Sequence, residues 1–352
     1  MSYLLVPLLS VLAARDLCLE FFPRVPTWVW VWGFVVFMTG VNFFGIKVTA
    51  TANTIMTVAM ILAAILFVAL AVWALNNGIG EGVLLSAKPF YNPDTFSGTL
   101  LLSGASIAVF SYVGFDGVST LAEEVENPRV NIGRATVLVA IFCAVIFVVV
   151  AYVTQLVWPA YSELPNDVGA VLKISEKIGG GVFRIFIFLI MIVAGVSCAL
   201  ASQTSAARLM YGMGRDRVLP GKFFAYVSPT HKIPTYNLLL IAVVTLVCAY
   251  TFERFQTAAE VLNYGAFLGF FAVNLSVIFE YLIRNRQGKI GPLELWRFLL
   301  MPLLGMLVIG VIFISLNPAV LKYVSYWMLA GLVWYAIITK GFRKIVQMKI
   351  EE

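Results

Sequence analysis

The sequence predicts an all-α polytopic membrane protein with about ten membrane segments, and three observations carry that class. Of its 352 residues 61% are hydrophobic and 12% charged, whereas soluble domains carry about 25% charged residues. Apolar windows of about 20 residues recur along the chain, each long enough to cross a bilayer as a helix. The charges fall in short loops between those windows, as orientation signals do. With no linker or low-complexity run, residues 1–352 read as one membrane domain.

The elements follow in order. Residues 1–22 are apolar only as far as Ala14 and then meet Arg15-Asp16, which reads as the outer half of a helix. This segment lacks the basic start and small-residue cleavage site of a secretory signal. Full spans are expected near 28–46, 51–75, 99–122, 134–157, 182–212, 235–252, 257–283, 296–316 and 320–339. Sixteen of the 24 Lys and Arg fall on one side of this arrangement and eight on the other. The basic side holds the 213–233 loop and the C-terminus, which the positive-inside rule places in the cytoplasm. Residues 76–98 and 159–181 then face outward, with room for a short surface helix in the second. Trp28, Trp30, Trp32 and Trp158 lie at outward span ends, as an aromatic belt requires.

Composition excludes several function classes. The net charge of +6 is spread through interspan loops, so no nucleic-acid partner is expected. Cys18, Cys143, Cys198 and Cys248 lie within or at the ends of apolar spans without CxxC spacing and read as packing residues. His231 is the only histidine, and no metal site or catalytic cluster is expected. The chain reads as no enzyme and as needing no cofactor beyond a coupling ion, H+ or Na+.

The most informative stretch runs from Leu100 to Arg129. An apolar segment is interrupted by Gly114-Phe115-Asp116-Gly117, resumes, and ends in Glu123-Glu124-Val125-Glu126-Asn127-Pro128-Arg129. A carboxylate at mid-bilayer costs about 2.5–3.5 kcal/mol on insertion scales and marks a functional position. Glycine on either side permits non-helical backbone, and broken helices survive at membrane depth only when buried in protein or lining a polar cavity. Half-helix ends present free N–H and C=O groups that attract anions and cations respectively. The pattern predicts part of a transporter's substrate site.

Phe110 to Gly117, with Glu123-Glu124 and Asn127-Pro128-Arg129 downstream, closely resembles the amino acid–polyamine–organocation permeases. Gly45-Ile46-Lys47 with Asn53 resembles the approach to that family's fifth helix. Arg208 through Asp216 with Leu219-Pro220 resembles the end of its eighth, and Asn263-Tyr264-Gly265 through Asn274-Leu275-Ser276 its tenth. The resemblance covers essentially the whole chain. It implies a five-plus-five inverted-repeat transporter of the LeuT type, with substrate held near the midplane by broken first and sixth helices. On that alignment residues 1–75 are the remnant of the first repeat (helices three to five) and 99–283 are the second repeat (six to ten). Residues 296–339 are helices eleven and twelve, and 340–352 a cytoplasmic tail. The family's first two helices and part of the third have no counterpart in residues 1–27, which suggests a late-starting reading frame or a true truncation.

The resemblance assigns substrate contact to Phe110, Ser111, Tyr112 and Val113, with Phe110 as an aromatic lid or else a core-packing residue, and Gly114 as the backbone break. Asp116 has three readings: partner of a substrate amine, proton carrier, or structural acceptor for the broken backbone. Ser202, Thr204 and Ser205 could face the cavity and help hold a coupling cation, or could bond the carbonyls one turn back; packing is preferred. Ser103, Gly104 and Ser106 read as close-packing positions. Proton-coupled relatives carry a lysine on the fifth helix, whereas Thr57-Val58-Ala59-Met60 has no basic residue. Glu123, Glu124 and Arg129, with Arg208 and Arg215, form either a solvated cytoplasmic face or a gating ion-pair network. Glu280, near the inner end of its span, either snorkels or pairs with Arg284 at i+4, and Lys340 to Lys349 suit anionic lipid headgroups.

The expected function is secondary active transport of amino acids across the cytoplasmic membrane by alternating access. No GxxxxGK[ST] motif occurs, so an ion gradient or a counter-substrate would drive it. The main alternative is a polyamine importer of the putrescine type, and a further one a non-transporting scaffold or accessory subunit. Expected partners are the small-molecule substrate and membrane lipids.

Overall fold

The computed structural model describes residues 2–93, 96–121, 125–165, 169–229, 232–252, 255–284, 291–314, 316 and 318–341. It is built of helices: α1 Ser2–Phe21, α2 Thr27–Phe43, α3 Ile46–Asn76, α4 Gly98–Ala108, α5 Pro128–Val157 and α6 Gly169–Arg215. Then come α7 Gly221–Phe224, α8 Thr235–Thr251, α9 Phe255–Ile278, α10 Pro292–Leu295, α11 Met301–Ile314 and α12 Leu321–Ile338. Among the described residues seven helical stretches are long and apolar enough to cross a membrane, and α2 and α8 are shorter apolar helices. Among the described residues each window expected from the sequence coincides with helix, the 99–122 window being interrupted at Val113 and Gly114. The all-helical polytopic class therefore stands.

The helices form two compact units interleaved along the chain. The larger contains residues 3–94 and 114–255, the smaller 95–113 and 256–344.

In the larger unit α1 lies deep in the core. Leu8, Leu9 and Leu12 are fully buried. Helix α1 also runs through Arg15, where the sequence suggested that apolar character ended. Arg15 is buried, and its guanidinium meets the Asp16 carboxylate at 2.7 Å; the pairing lets the helix carry a cation inside protein. One apolar cluster joins the ends of α1, α3 and α5 to the first half of α6 through Leu17, Phe67, Leu75, Leu156, Leu172 and Phe188. A second joins Ala206 and Ala207 of α6 to Ile233, Leu238 and Ile241.

Helix α6 bends at Gly180, where φ is 72° and ψ −172°. The residues before the bend form the short helix expected in the 159–181 loop. Arg184, just after it, donates to Glu176 before it and to Glu20 at the end of α1, both at 3.0 Å.

In the smaller unit Asn263 of α9 donates to the carbonyl of Ser106 on α4 at 3.1 Å. The Ser106 hydroxyl turns back to the Ser103 carbonyl at 2.7 Å. In the π-helical turn Phe279–Arg284 that follows α9, Arg284 reaches Glu280 at 3.3 Å, the i+4 pairing that is one of the two expectations from sequence.

Candidate functional site

Helix α4 gives way to a 3-10 turn, Val109–Tyr112, and then to extended backbone at Val113. Gly114 follows at φ 111°, a conformation closed to most L residues. A second 3-10 helix, Phe115–Leu121, resumes the path. The main-chain bonds stop and restart across the break: Val113 donates to Phe110 at 3.1 Å, and Gly117 to Gly114 at 2.9 Å. The division between the two units falls here, after Val113.

Phe110, Ser111, Tyr112 and Val113 belong to the smaller unit, with Ser111 exposed and the other three half-buried. Gly114 and Asp116 belong to the larger. There Asp116 interacts with Tyr3 of α1. The Tyr3 hydroxyl is buried yet falls short of ordinary hydrogen-bond geometry with any group among the described residues. A side-chain carbon placed on Gly117 would lie 3.7 Å from that hydroxyl and 4.0 Å from the Ser205 hydroxyl of α6. The structure thus gathers a carboxylate, a phenol and a hydroxyl from three elements around one glycine. Such a set can hold an ammonium group: the carboxylate supplies charge, and the two oxygens can accept further N–H bonds. The Asp116 carbonyl is occupied separately, accepting from the Ser119 hydroxyl at 2.6 Å.

Ser202 and Thr204 are placed differently. Ser202 donates to the Cys198 carbonyl at 2.7 Å. Thr204 donates to the Leu200 carbonyl at 2.9 Å and lies 3.1 Å from Asn42 Oδ1. Both belong to, or border, a buried polar seam. Asn42 of α2 donates to Gln203 Oε1 at 2.7 Å and accepts from Thr49 at 3.2 Å. Gln203 donates to Thr39 at 3.0 Å and to the Leu238 carbonyl at 3.3 Å. One turn further along α3, Asn53 accepts from Ser197 at 2.9 Å.

Sequence reasoning singled out Asp116 and Ser205 but missed Tyr3 and Asn42. The signal for Asn42 was present, a lone amide in an apolar window, where polar groups are rare and carry a role. For Tyr3 no local signal exists, because an aromatic residue near a span end also fits an interfacial position.

Among the gate candidates, Glu123 and Glu124 lie outside the described residues, as does the side chain of Arg129. Arg208 is half-buried on α6, and Arg215 pairs with its neighbour Asp216 at 3.4 Å. The segment 342–352 also lies outside the description. Among the described residues no three His, Cys, Asp or Glu side chains converge.

A family profile described as amino acid permease matches residues 2–341. The chain is similar to the low-affinity putrescine importer PlaP of Escherichia coli strain K12, 31% identical over 346 residues, which is 98% of this chain and 76% of the importer. It is similar to the branched-chain amino acid permease BcaP of Bacillus subtilis strain 168, 26% identical over 327 residues, 89% of this chain and 64% of that permease. To the methylthioribose transporter of Bacillus subtilis strain 168 it is 28% identical over 257 residues, 73% of this chain and 52% of that transporter. Matched by the profile along almost its whole length, and built of long apolar helices, the chain belongs to the amino acid permease family and is a multi-pass membrane permease rather than an enzyme.

Proposed function

We propose that this permease is a secondary active transporter of small primary amines, working by alternating access in the cytoplasmic membrane with its C-terminus inside the cell. The observation that carries the amine class is the convergence of Asp116, Tyr3 and Ser205 beside the break at Gly114. Within that class the reading is a polyamine of the putrescine type. The likeness to the putrescine importer spans 98% of the chain at 31% identity. The likeness to the branched-chain permease is weaker, 26% over 89%. This reverses the order of preference drawn from the sequence.

Amino acids are the second reading, favoured by the single carboxylate at the Asp116 cluster: a diamine has two charges to satisfy, whereas an α-amino acid brings its own anion. Either substrate would move with H+ or Na+ as the coupling ion, or by exchange.

Uptake of labelled putrescine into proteoliposomes, with imposed proton or sodium gradients, tests the reading. Competition by excess putrescine but by no amino acid is expected. Absence of putrescine uptake alongside uptake of a labelled amino acid would overturn the polyamine assignment and leave the amine site standing. Asp116→Asn should lower uptake about tenfold to a hundredfold, the loss of one charge-assisted hydrogen bond. Unchanged uptake with unchanged pH dependence would remove Asp116 from both binding and coupling.

A further inference from the structure

Residues 213–236 contain Arg215, Arg217, Lys222 and Lys232 against one acid, Asp216, which Arg215 engages at 3.4 Å. Arg217, Lys222 and Lys232 are exposed. The same segment carries a column of three aromatic rings. Tyr236, at the start of α8, stacks on Tyr226 with centroids 4.3 Å apart and on Phe223 at 5.3 Å. All three keep about two-fifths of their surface open, at 40%, 38% and 41%.

This surface is rigidly supported. A side-chain carbon on Gly214 would sit 2.7 Å from the Ala225 nitrogen and from Phe224 Cβ, so α7 packs on bare backbone at the end of α6. The buried Asn237 donates to the Phe224 carbonyl at 2.9 Å and to the Ala207 carbonyl at 3.2 Å, tying α7, α6 and α8 together. Val218 and Leu219 both donate to the Met213 carbonyl, at 2.8 and 3.0 Å. Ser228 donates to Ile233 at 2.9 Å, and Ile233 is buried. The aromatic column and its cations are therefore held in place before anything binds.

We propose that this face is a docking surface for acidic phospholipid of the adjoining leaflet. Two features select that partner. Three exposed cations without an exposed acid among them complement phosphodiester anions. Aromatic rings at the mouth of a membrane helix settle at headgroup depth, apolar faces toward the acyl boundary and hydroxyls toward water. A free phosphate would satisfy the cations and leave the ring faces in water; a lipid covers both. The site is separate from the Asp116 cluster and independent of what the permease carries.

The test uses the full chain in nanodiscs of phosphatidylcholine alone or with phosphatidylglycerol. Hydrogen exchange is followed over residues 217–228, and retained lipid is counted by native mass spectrometry. Phosphatidylglycerol should protect the segment and stay bound. The triple variant Arg217→Ala, Lys222→Ala, Lys232→Ala should lose both effects, retention falling about fivefold per charge removed. These side chains are exposed, so the variant keeps its fold, checked by an unchanged unfolding midpoint. Phe223→Ser with Tyr226→Ser should weaken retention while the cations remain. Equal protection in both disc types, protection reproduced by soluble glycerol phosphate, or full retention by the charge variant would each overturn the proposal.

Discussion

Asn42 and Gln203, 161 residues apart, share a 2.7 Å hydrogen bond in the core of the larger unit. It is the centre of the polar seam that joins α2 to α6, and both side chains are shut away from solvent. Removing Asn42 does not cost the sum of its bonds. Thr204 keeps the Leu200 carbonyl and Thr49 keeps the Gly45 carbonyl; the Leu200 carbonyl loses Asn42 at 3.3 Å but keeps Thr204, so Gln203 Oε1 is the acceptor left bare. Leaving one buried acceptor bare costs about 1–3 kcal/mol. Asn42→Ala should therefore destabilise by about 2 kcal/mol. Thr39→Val should cost less, because Gln203 Nε2 retains the Leu238 carbonyl. Unfolding midpoints in detergent check the order, and equal midpoints would refute it.

Gly114 sits at φ 111°, and nothing lies within 4 Å of where its side chain would begin. A substitution there strains backbone without a clash. Gly114→Ala should cost about 1–2 kcal/mol and lower uptake by distorting the break beside Asp116. Gly33 in α2 also has open space but no positive φ. Gly33→Ala should leave uptake unchanged and stabilise by about 0.5–1 kcal/mol. Parallel transport and melting measurements separate the two, and matching losses would dismiss a special role for the break.

Much of this architecture was legible because bilayer thickness forces long apolar windows that sequence reports directly. The break at Gly114 was legible because glycine flanking a mid-span carboxylate has few other uses. What stayed hidden is long-range. In the sequence the apolar part of the first segment ends at Ala14, before Arg15-Asp16; that Arg15 is buried and paired with Asp16 depends on rotamer and packing. Tyr3 meets Asp116 only because α1 passes beside the 3-10 helix Phe115–Leu121, and no periodicity encodes that approach. For Thr204 the alternatives were a cavity-facing hydroxyl or a bond to the preceding turn. It bonds its own helix and borders Asn42, a neighbour on another helix that spacing cannot reveal.

Tyr3 sets stability against function. Its hydroxyl is buried beside Asp116 but falls short of ordinary hydrogen-bond geometry among the described residues, so its removal gives up a loose contact with the carboxylate rather than a formed hydrogen bond. Tyr3→Phe should leave the unfolding midpoint unchanged or raise it. If the hydroxyl serves a substrate amine, the same variant should raise KM about fivefold, the worth of one hydrogen bond. A fall in stability with unchanged KM would make Tyr3 a packing residue only.

Arg184 bridges Glu176 and Glu20 at 3.0 Å on both sides of the Gly180 bend, and its guanidinium lies 5.3 Å from the centre of the Phe21 ring. The three charged side chains are partly exposed, at 31%, 50% and 30%, so solvent screens each pair and neither is worth more than about 0.2–1 kcal/mol. Glu176→Gln, at the most exposed partner, should cost least. Glu20→Gln should cost more because it frees α1 from α6. Arg184→Ala should exceed both together, since it also uncovers Phe21 and leaves two carboxylates facing each other. Lysine cannot restore the bridge, because one ammonium lacks the planar fork that meets two carboxylates at once. At about 1 M salt the Debye length shrinks to about 3 Å, which should erase the Glu→Gln penalties and leave the Phe21 packing loss of Arg184→Ala. Unfolding midpoints at low and high salt read this directly, and salt-independent penalties for the carboxylate variants would show that the bend is held by packing alone.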